Sequence, residues 1–205
     1  MNEIKDQCEY ALSAIRHSDY ALQQIIQQVS TRDIDYNQLR LFQSEVSRNI
    51  HSFLTHASNV SRMFWPPFPR KEKTETDKDY KDKLLITDRV VRAKALKEEY
   101  SLKENNVLKD RKLRNHLEHY DERLDDWSKN SKNRNIATIN IGPLGSISPS
   151  SDPLDNMRQF DPDRNIYRFR GEDYDLQNIK TAISEILTLS QNLEEKLREH
   201  GSQST

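Results

Sequence analysis

The run Leu113-Arg114-Asn115-His116-Leu117-Glu118-His119-Tyr120 joins one arginine, one amide and two histidines within a few positions. Arginine supplies a permanent, planar cation shaped for a phosphate. Histidine is the side chain best able to give and take a proton near neutral pH. Asparagine can orient either group through its amide. Together these are the parts of metal-independent phosphodiester cleavage in RNA, in which the 2′-hydroxyl attacks the adjacent phosphorus.

The spacing must let the parts meet. On a regular helix, Arg114 and His119 stand about 140° apart in azimuth and about 7.5 Å apart along the axis, so they share no single stripe. If Leu113, Leu117, Leu124 and Trp127 point inward, then Arg114, Glu118, Asn115 and His119 spread across the opposite polar arc. Long side chains can converge from there on one phosphate, above all in a cleft between two subunits. The plainer reading is a solvated charged face in which Arg114 pairs with Glu118 at i,i+4. A second register, Arg111 to His116, has the same length but places Lys112 after the arginine.

Other chemistries find little support. His51 and His56 are five positions apart, the wrong spacing for the i,i+4 zinc pair of a metalloprotease helix, and read as polar-face residues. The chain contains no GxxxxGK[ST], GxGxxG or GxSxG pattern, and Gly142-Pro143-Leu144-Gly145-Ser146 reads as a flexible connector. The single Cys8 excludes an intramolecular disulfide framework and a Cys-rich zinc site. No cofactor and no metal is called for.

The elements that must hold these residues are helices. Charged residues make up 32% of the chain and apolar residues 34%, which suits helices with one apolar stripe better than a sandwich or a parallel sheet. A helix is expected over 3–29, carrying Ile4, Cys8, Ala11, Leu12, Ile15, Leu22, Ile25, Ile26 and Val29 inward. Thr31 or Asp33 is the expected cap of the next helix, over about 34–64, whose stripe runs from Tyr36 through Leu39, Phe42, Val46, Ile50, Phe53 and Ala57 to Phe64. It stops at Trp65-Pro66-Pro67-Phe68-Pro69, a hydrophobic plug whose prolines cannot continue it. After a charged loop over Arg70–Lys81, a third helix is expected over about 78–100, with Tyr80, Leu84, Leu85, Val91, Ala95 and Leu96 inward. A fourth, roughly 105–129, shows a seam at Leu113, Leu117, Tyr120, Leu124 and Trp127 for a partner helix within the chain or across a dimer. Between 134 and 170, MRQF and NIYRF flank Asp161-Pro162-Asp163-Arg164 and predict a β-hairpin, with 135–141 extended. A last helix is expected over about 173–199, and 201–205 as a disordered tail.

The fold class is therefore mainly all-α: a helical bundle of about five long amphipathic helices, with a small β-hairpin-like insertion over 130–172. The formal net charge of −1 argues against a nucleic-acid coat or a polybasic membrane binder, though not against a local basic cleft. No apolar run approaches the roughly 18 residues a membrane span needs. The N-terminus MNEIKDQCEY lacks a signal-peptide core, so the expected location is the cytoplasm.

Arg114-Asn115-His116-Leu117-Glu118-His119 resembles the Arg-polar-x3-His motif of the HEPN superfamily, all-helical bundles many of which are metal-independent ribonucleases acting as dimers. The likeness covers 3–129 and 173–199 and sets the motif on a late helix, as the order of elements here does. It implies Arg114 as the phosphate-binding group, His119 as general acid or base, and Asn115 as the residue orienting them, with His116, Glu118 and Tyr120 shaping the substrate cleft. Toxin-type members place a tyrosine two residues after the histidine, whereas Tyr120 is adjacent to His119. The implied function is an endoribonuclease acting on single-stranded or looped RNA, in a bacterial toxin or defence role. The implied partners are RNA, a second copy of the chain and a protein partner or antitoxin, with no membrane. The alternative is a non-catalytic protein of the same fold that binds RNA, a nucleotide or a protein.

Overall fold

The computed structural model describes residues 2–110, 120–132, 139–144, 146 and 155–202, with backbone alone for Tyr120 and 200–202. Among them are six α-helices and a four-stranded sheet, so the chain is mainly helical. No helix among the described residues is long and apolar enough to cross a membrane.

Helix α1 (Asn2–Thr31) and helix α2 (Tyr36–Phe64) form an antiparallel hairpin that is the base of the core. The buried face of α1 is Ile4, Cys8, Ala11, Ala14, Ile15, Ser18 and Ala21, mostly small side chains, and the Ser18 hydroxyl donates to the Val46 carbonyl of α2. Into that face α2 sets Val46, Ile50, Phe53, Leu54, Ala57 and Val60, at the three- and four-residue steps of one helical stripe. The connection differs from expectation in its cap. Arg32 takes φ +58 and ends α1. Asp35, rather than Thr31 or Asp33, then starts α2, its Oδ1 accepting the backbone N–H groups of Asn37 (2.9 Å) and Gln38 (3.2 Å).

The last helix, α6 (Leu176–Ser202), lies antiparallel along α1, with Lys5 paired to Glu194 at 2.8 Å and Lys180 to Asp19 at 3.6 Å. Extending that register puts the start of α6 near residue 23 of α1. The tip of the hairpin overruns it, and Ile26, Val29 and Tyr36, expected inward, are exposed. Helix α6 continues through Ser202, and 203–205 lie outside the described residues. Leu197 near its end is exposed as well.

The single helix expected over 78–100 is two. Helix α3 (Asp77–Ile86) begins in a capping box of Thr76 and Asp79, and helix α4 (Asp88–Glu99) begins at Thr87. Thr87 leaves the helical region (φ −77, ψ 109), and its hydroxyl bonds back to the Lys83 carbonyl at 2.6 Å. The turn of axis leaves Leu85, Val91 and Ala95 exposed and buries Ala93 instead. The chain then runs as an irregular connector from Ser101 (φ +51) to a short 3-10 turn, Val107–Lys109, capped by Asn106, so no helix starts near 105. Helix α5 (Tyr120–Asn130) follows.

The hairpin is present as β2 (Arg158–Asp161) and β3 (Ile166–Phe169). Asp161 organises its turn by accepting the N–H groups of Asp163 (3.1 Å) and Arg164 (3.2 Å). Two strands extend it. Strand β1 (Asn140–Ile141) pairs in parallel with β2, and β4 (Glu172–Asp175) pairs with β3 across Arg170-Gly171. Both of those loop residues have positive φ (+48 and +83), the requirement of a two-residue type I′ turn. Asp175 accepts the Asn178 N–H at 2.9 Å and so starts α6 after the strand, not at 173. The sheet is no appendage, because Phe160, Tyr167, Phe169 and Tyr174 join the same hydrophobic cluster as α1, α2 and α6. Nor is Gly142-Pro143-Leu144 a loose connector. The Gln159 amide donates to the carbonyls of Gly142 (3.3 Å) and Pro143 (2.8 Å), and the Leu144 N–H donates to Asp161 (3.0 Å).

Candidate functional site

Arg114, Asn115, His116, Glu118 and His119 lie outside the described residues, as do Arg111, Leu113 and Leu117. Tyr120 is the first residue of α5. What the structure does define is how the stretch that carries them is held at either end.

On the N-terminal side, the 3-10 turn is pinned to the core. Leu108 is buried, its carbonyl accepts the Ser61 hydroxyl of α2, and its N–H donates to Asn106 at 2.9 Å. On the C-terminal side, α5 is clamped to the sheet. The Trp127 indole N–H donates to the buried Asp155 carboxylate at 3.1 Å, and the Ser131 hydroxyl donates to the same oxygen. Asp126 pairs with Arg170 of the β3–β4 turn, and the guanidinium holds its carboxyl below the usual aspartate range. Leu124 and Trp127, the described part of the expected seam, are half-buried.

A cavity of about 140 Å³ lies between α2, the 3-10 turn and β4. Its polar lining comprises Ser58, Ser61, Asp110, Asp173, Tyr174 and Asp175. Asp110 is the last described residue before the motif stretch. The Tyr174 hydroxyl donates to Glu172 at 3.3 Å, and burial, with Glu172 beside it, pushes the phenol above its ordinary range. Three aspartates around so small a space repel phosphate rather than seat it. The cavity is therefore no phosphate site.

The two other histidines singled out in the sequence do not meet each other. His56 bridges helices: its Nδ1–H donates to Gln7 Oε1 of α1 at 2.8 Å, its ring packs on Tyr10, and Asn59 donates to the same oxygen at 3.1 Å. Burial lowers its pKa. His51 is exposed, and burial of part of its ring together with nearby Arg158 lowers its pKa as well. Among the described residues no three His, Cys, Asp or Glu side chains converge as a metal site.

Sequence reasoning missed a larger cleft of about 620 Å³. It opens where the proline-rich end of α2 faces α4, and lysines of α4 and of the 3-10 turn line it. The plug at Phe64–Pro69 was legible; its lysine neighbours are distant in sequence and were not. No family model matches the chain, and neither a curated protein nor a solved structure does.

Proposed function

We propose that the chain is a metal-independent endoribonuclease of HEPN-like type that acts as a homodimer on single-stranded or looped RNA. The observation that carries the reading is the Arg114-Asn115-x3-His119 pattern. A mainly helical architecture supports it, with Leu108 before that stretch in the core and Trp127 after it hydrogen-bonded to Asp155.

In this mechanism His119 takes the proton from the 2′-hydroxyl as it attacks phosphorus, or protonates the leaving 5′-oxygen. Arg114 balances the charge that gathers on the non-bridging oxygens. Asn115 orients the pair, and His116, Glu118 and Tyr120 shape the approach. An unstacked strand is preferred because its backbone can bend into the in-line geometry. The deciding experiment uses a DNA oligonucleotide carrying one ribonucleotide, with EDTA present. Cleavage is expected only 3′ to that residue, leaving a 2′,3′-cyclic phosphate by mass spectrometry, and 2′-O-methylation should block it. Cutting of all-DNA strands, a 5′-phosphate product, or activity that chelation abolishes and magnesium restores would refute the mechanism.

A further inference from the structure

At the end of α2 the prolines force the chain out of helix and leave four apolar side chains on one wall. Phe64 meets Tyr100 edge-on, with ring centres 5.1 Å apart, and Trp65 at 5.8 Å. The Tyr100 hydroxyl donates to Ser190 of α6 at 3.0 Å, so the wall is tied to the core. The opposite wall is one face of α4, Val90, Ala93, Lys94 and Lys97, at i, i+3, i+4 and i+7. Glu104 and Lys109 of the connector close the mouth.

Two features narrow the occupant. The mouth is cationic, with three lysines and one glutamate. Glu104 is held between Lys109 (2.7 Å) and Lys97 (2.8 Å), whose hydrogen bonds lower its carboxyl to about 2. Lys94 has no carboxylate partner among the described residues. On the aromatic wall, the indole N–H of the buried Trp65 has no partner within the protein. Such a donor is costly to leave unmade. A ligand that satisfies both features carries an anion at one end and a hydrogen-bond acceptor on its flat, apolar part.

We propose that this cleft is a second binding site, for a single unpaired nucleotide, with the base between the aromatic wall and α4 and the phosphate on Lys94 and Lys109. A nucleobase has apolar faces that stack on aromatic rings and carbonyl or ring-nitrogen acceptors on its edge. A fatty acid supplies the anion but offers nothing to the indole. The proposal rests on the ribonuclease reading only in naming an RNA strand as the source. A free mononucleotide has the same chemistry, and the test separates the two.

The full chain carrying Arg114→Ala and His119→Ala, so that cleavage cannot intervene, is labelled with ¹⁵N, and its two indole N–H resonances are followed by NMR. A uridine-containing RNA trinucleotide, uridine 5′-monophosphate and dodecanoate are titrated separately. Saturable movement of the Trp65 resonance, with that of Trp127 still, is the expected result. Response to the trinucleotide alone assigns the site to an RNA strand, and equal response to the monophosphate assigns it to a free nucleotide. Affinity should fall about tenfold in Lys94→Ala/Lys109→Ala, and rise severalfold in Glu104→Gln, which removes the opposing charge. It should also weaken as salt rises from about 50 to about 200 mM. Val90→Phe should fill the cleft and abolish binding while leaving the helical circular dichroism unchanged. A silent Trp65 at millimolar nucleotide, a response to dodecanoate alone, or equal affinity in the charge variants would overturn the proposal. If the wild type cuts RNA while the cleft stays silent, only the cleft assignment falls. If the cleft binds while the wild type cuts nothing, only the ribonuclease reading falls.

Discussion

At the scale of single residues, Arg114 and His119 are expected to act in chemistry and not in packing. Arg114→Ala and His119→Ala should each leave the circular dichroism nearly unchanged and reduce cleavage, by about 10²–10³-fold for the charge-stabilising Arg114 and about 10²–10⁴-fold for the acid–base His119. Loss of activity in Arg111→Ala and His116→Ala, with Arg114→Ala and His119→Ala active, would instead move the motif to the other register. Cys8 makes the opposite kind of prediction. It is fully buried between helices, and burial, with Glu9 nearby, pushes its thiol up to about 12. Thiolate is the reactive form, so a disulfide reagent should label the native chain only as fast as the α1–α2 interface opens. The sign of the linkage follows. With the folded pKa raised, the unfolded chain loses its proton first, and this contribution to stability is present below about pH 9 and lost progressively towards about pH 12. Rapid labelling at neutral pH in the absence of denaturant would contradict the packing described for Cys8.

The elements show where caps decide boundaries. Asp35 satisfies two otherwise orphaned N–H groups at the start of α2, while Asp33 makes no such bond. Asp35→Ala should therefore cost about 1 kcal/mol, read as a lower urea midpoint at unchanged slope, and Asp33→Ala should lie within about 0.5 kcal/mol of the parent. Equal effects of the two substitutions would show that the cap lies elsewhere. The break at Thr87 has another cause: its backbone leaves the helical region and its hydroxyl bonds back to the Lys83 carbonyl, with no side-chain cap on α4. Periodicity alone cannot see this, because the apolar spacing of Leu84, Leu85 and Val91 runs across the joint.

At the scale of the whole molecule, the described residues form one core, shared by α1, α2, α6 and the sheet, and an α1–α2 tip that leaves Tyr20, Ile26, Val29, Tyr36 and Leu41 exposed. Exposed apolar groups in such a number on one projection are a usual mark of association. Light scattering across micromolar concentrations should give about twice the 24.2 kDa chain mass. A monomer throughout that range would remove the shared cleft from the proposed mechanism.

The sequence alone determined the long helices α1, α2 and α6, the stop at the prolines and the β2–β3 hairpin. Each of these depends on neighbours within a few positions: helical spacing, a missing N–H in proline, or turn chemistry at Asp161. Tertiary structure decided the rest. Ile26 and Val29 have core-forming spacing but face solvent because α6 begins too late along α1 to cover them. β1 joins β2 in parallel, and β4 completes the sheet, through pairings with strands whose place in the core no local pattern reveals. The cleft at Trp65 is made by α2, α4 and the connector, which bring Lys94 and Lys109 to an aromatic wall 26 to 45 positions earlier in the chain. Contacts of that kind form only when the elements pack, since hydrophobic burial fixes which faces meet without leaving a periodic trace at the residues that meet across them.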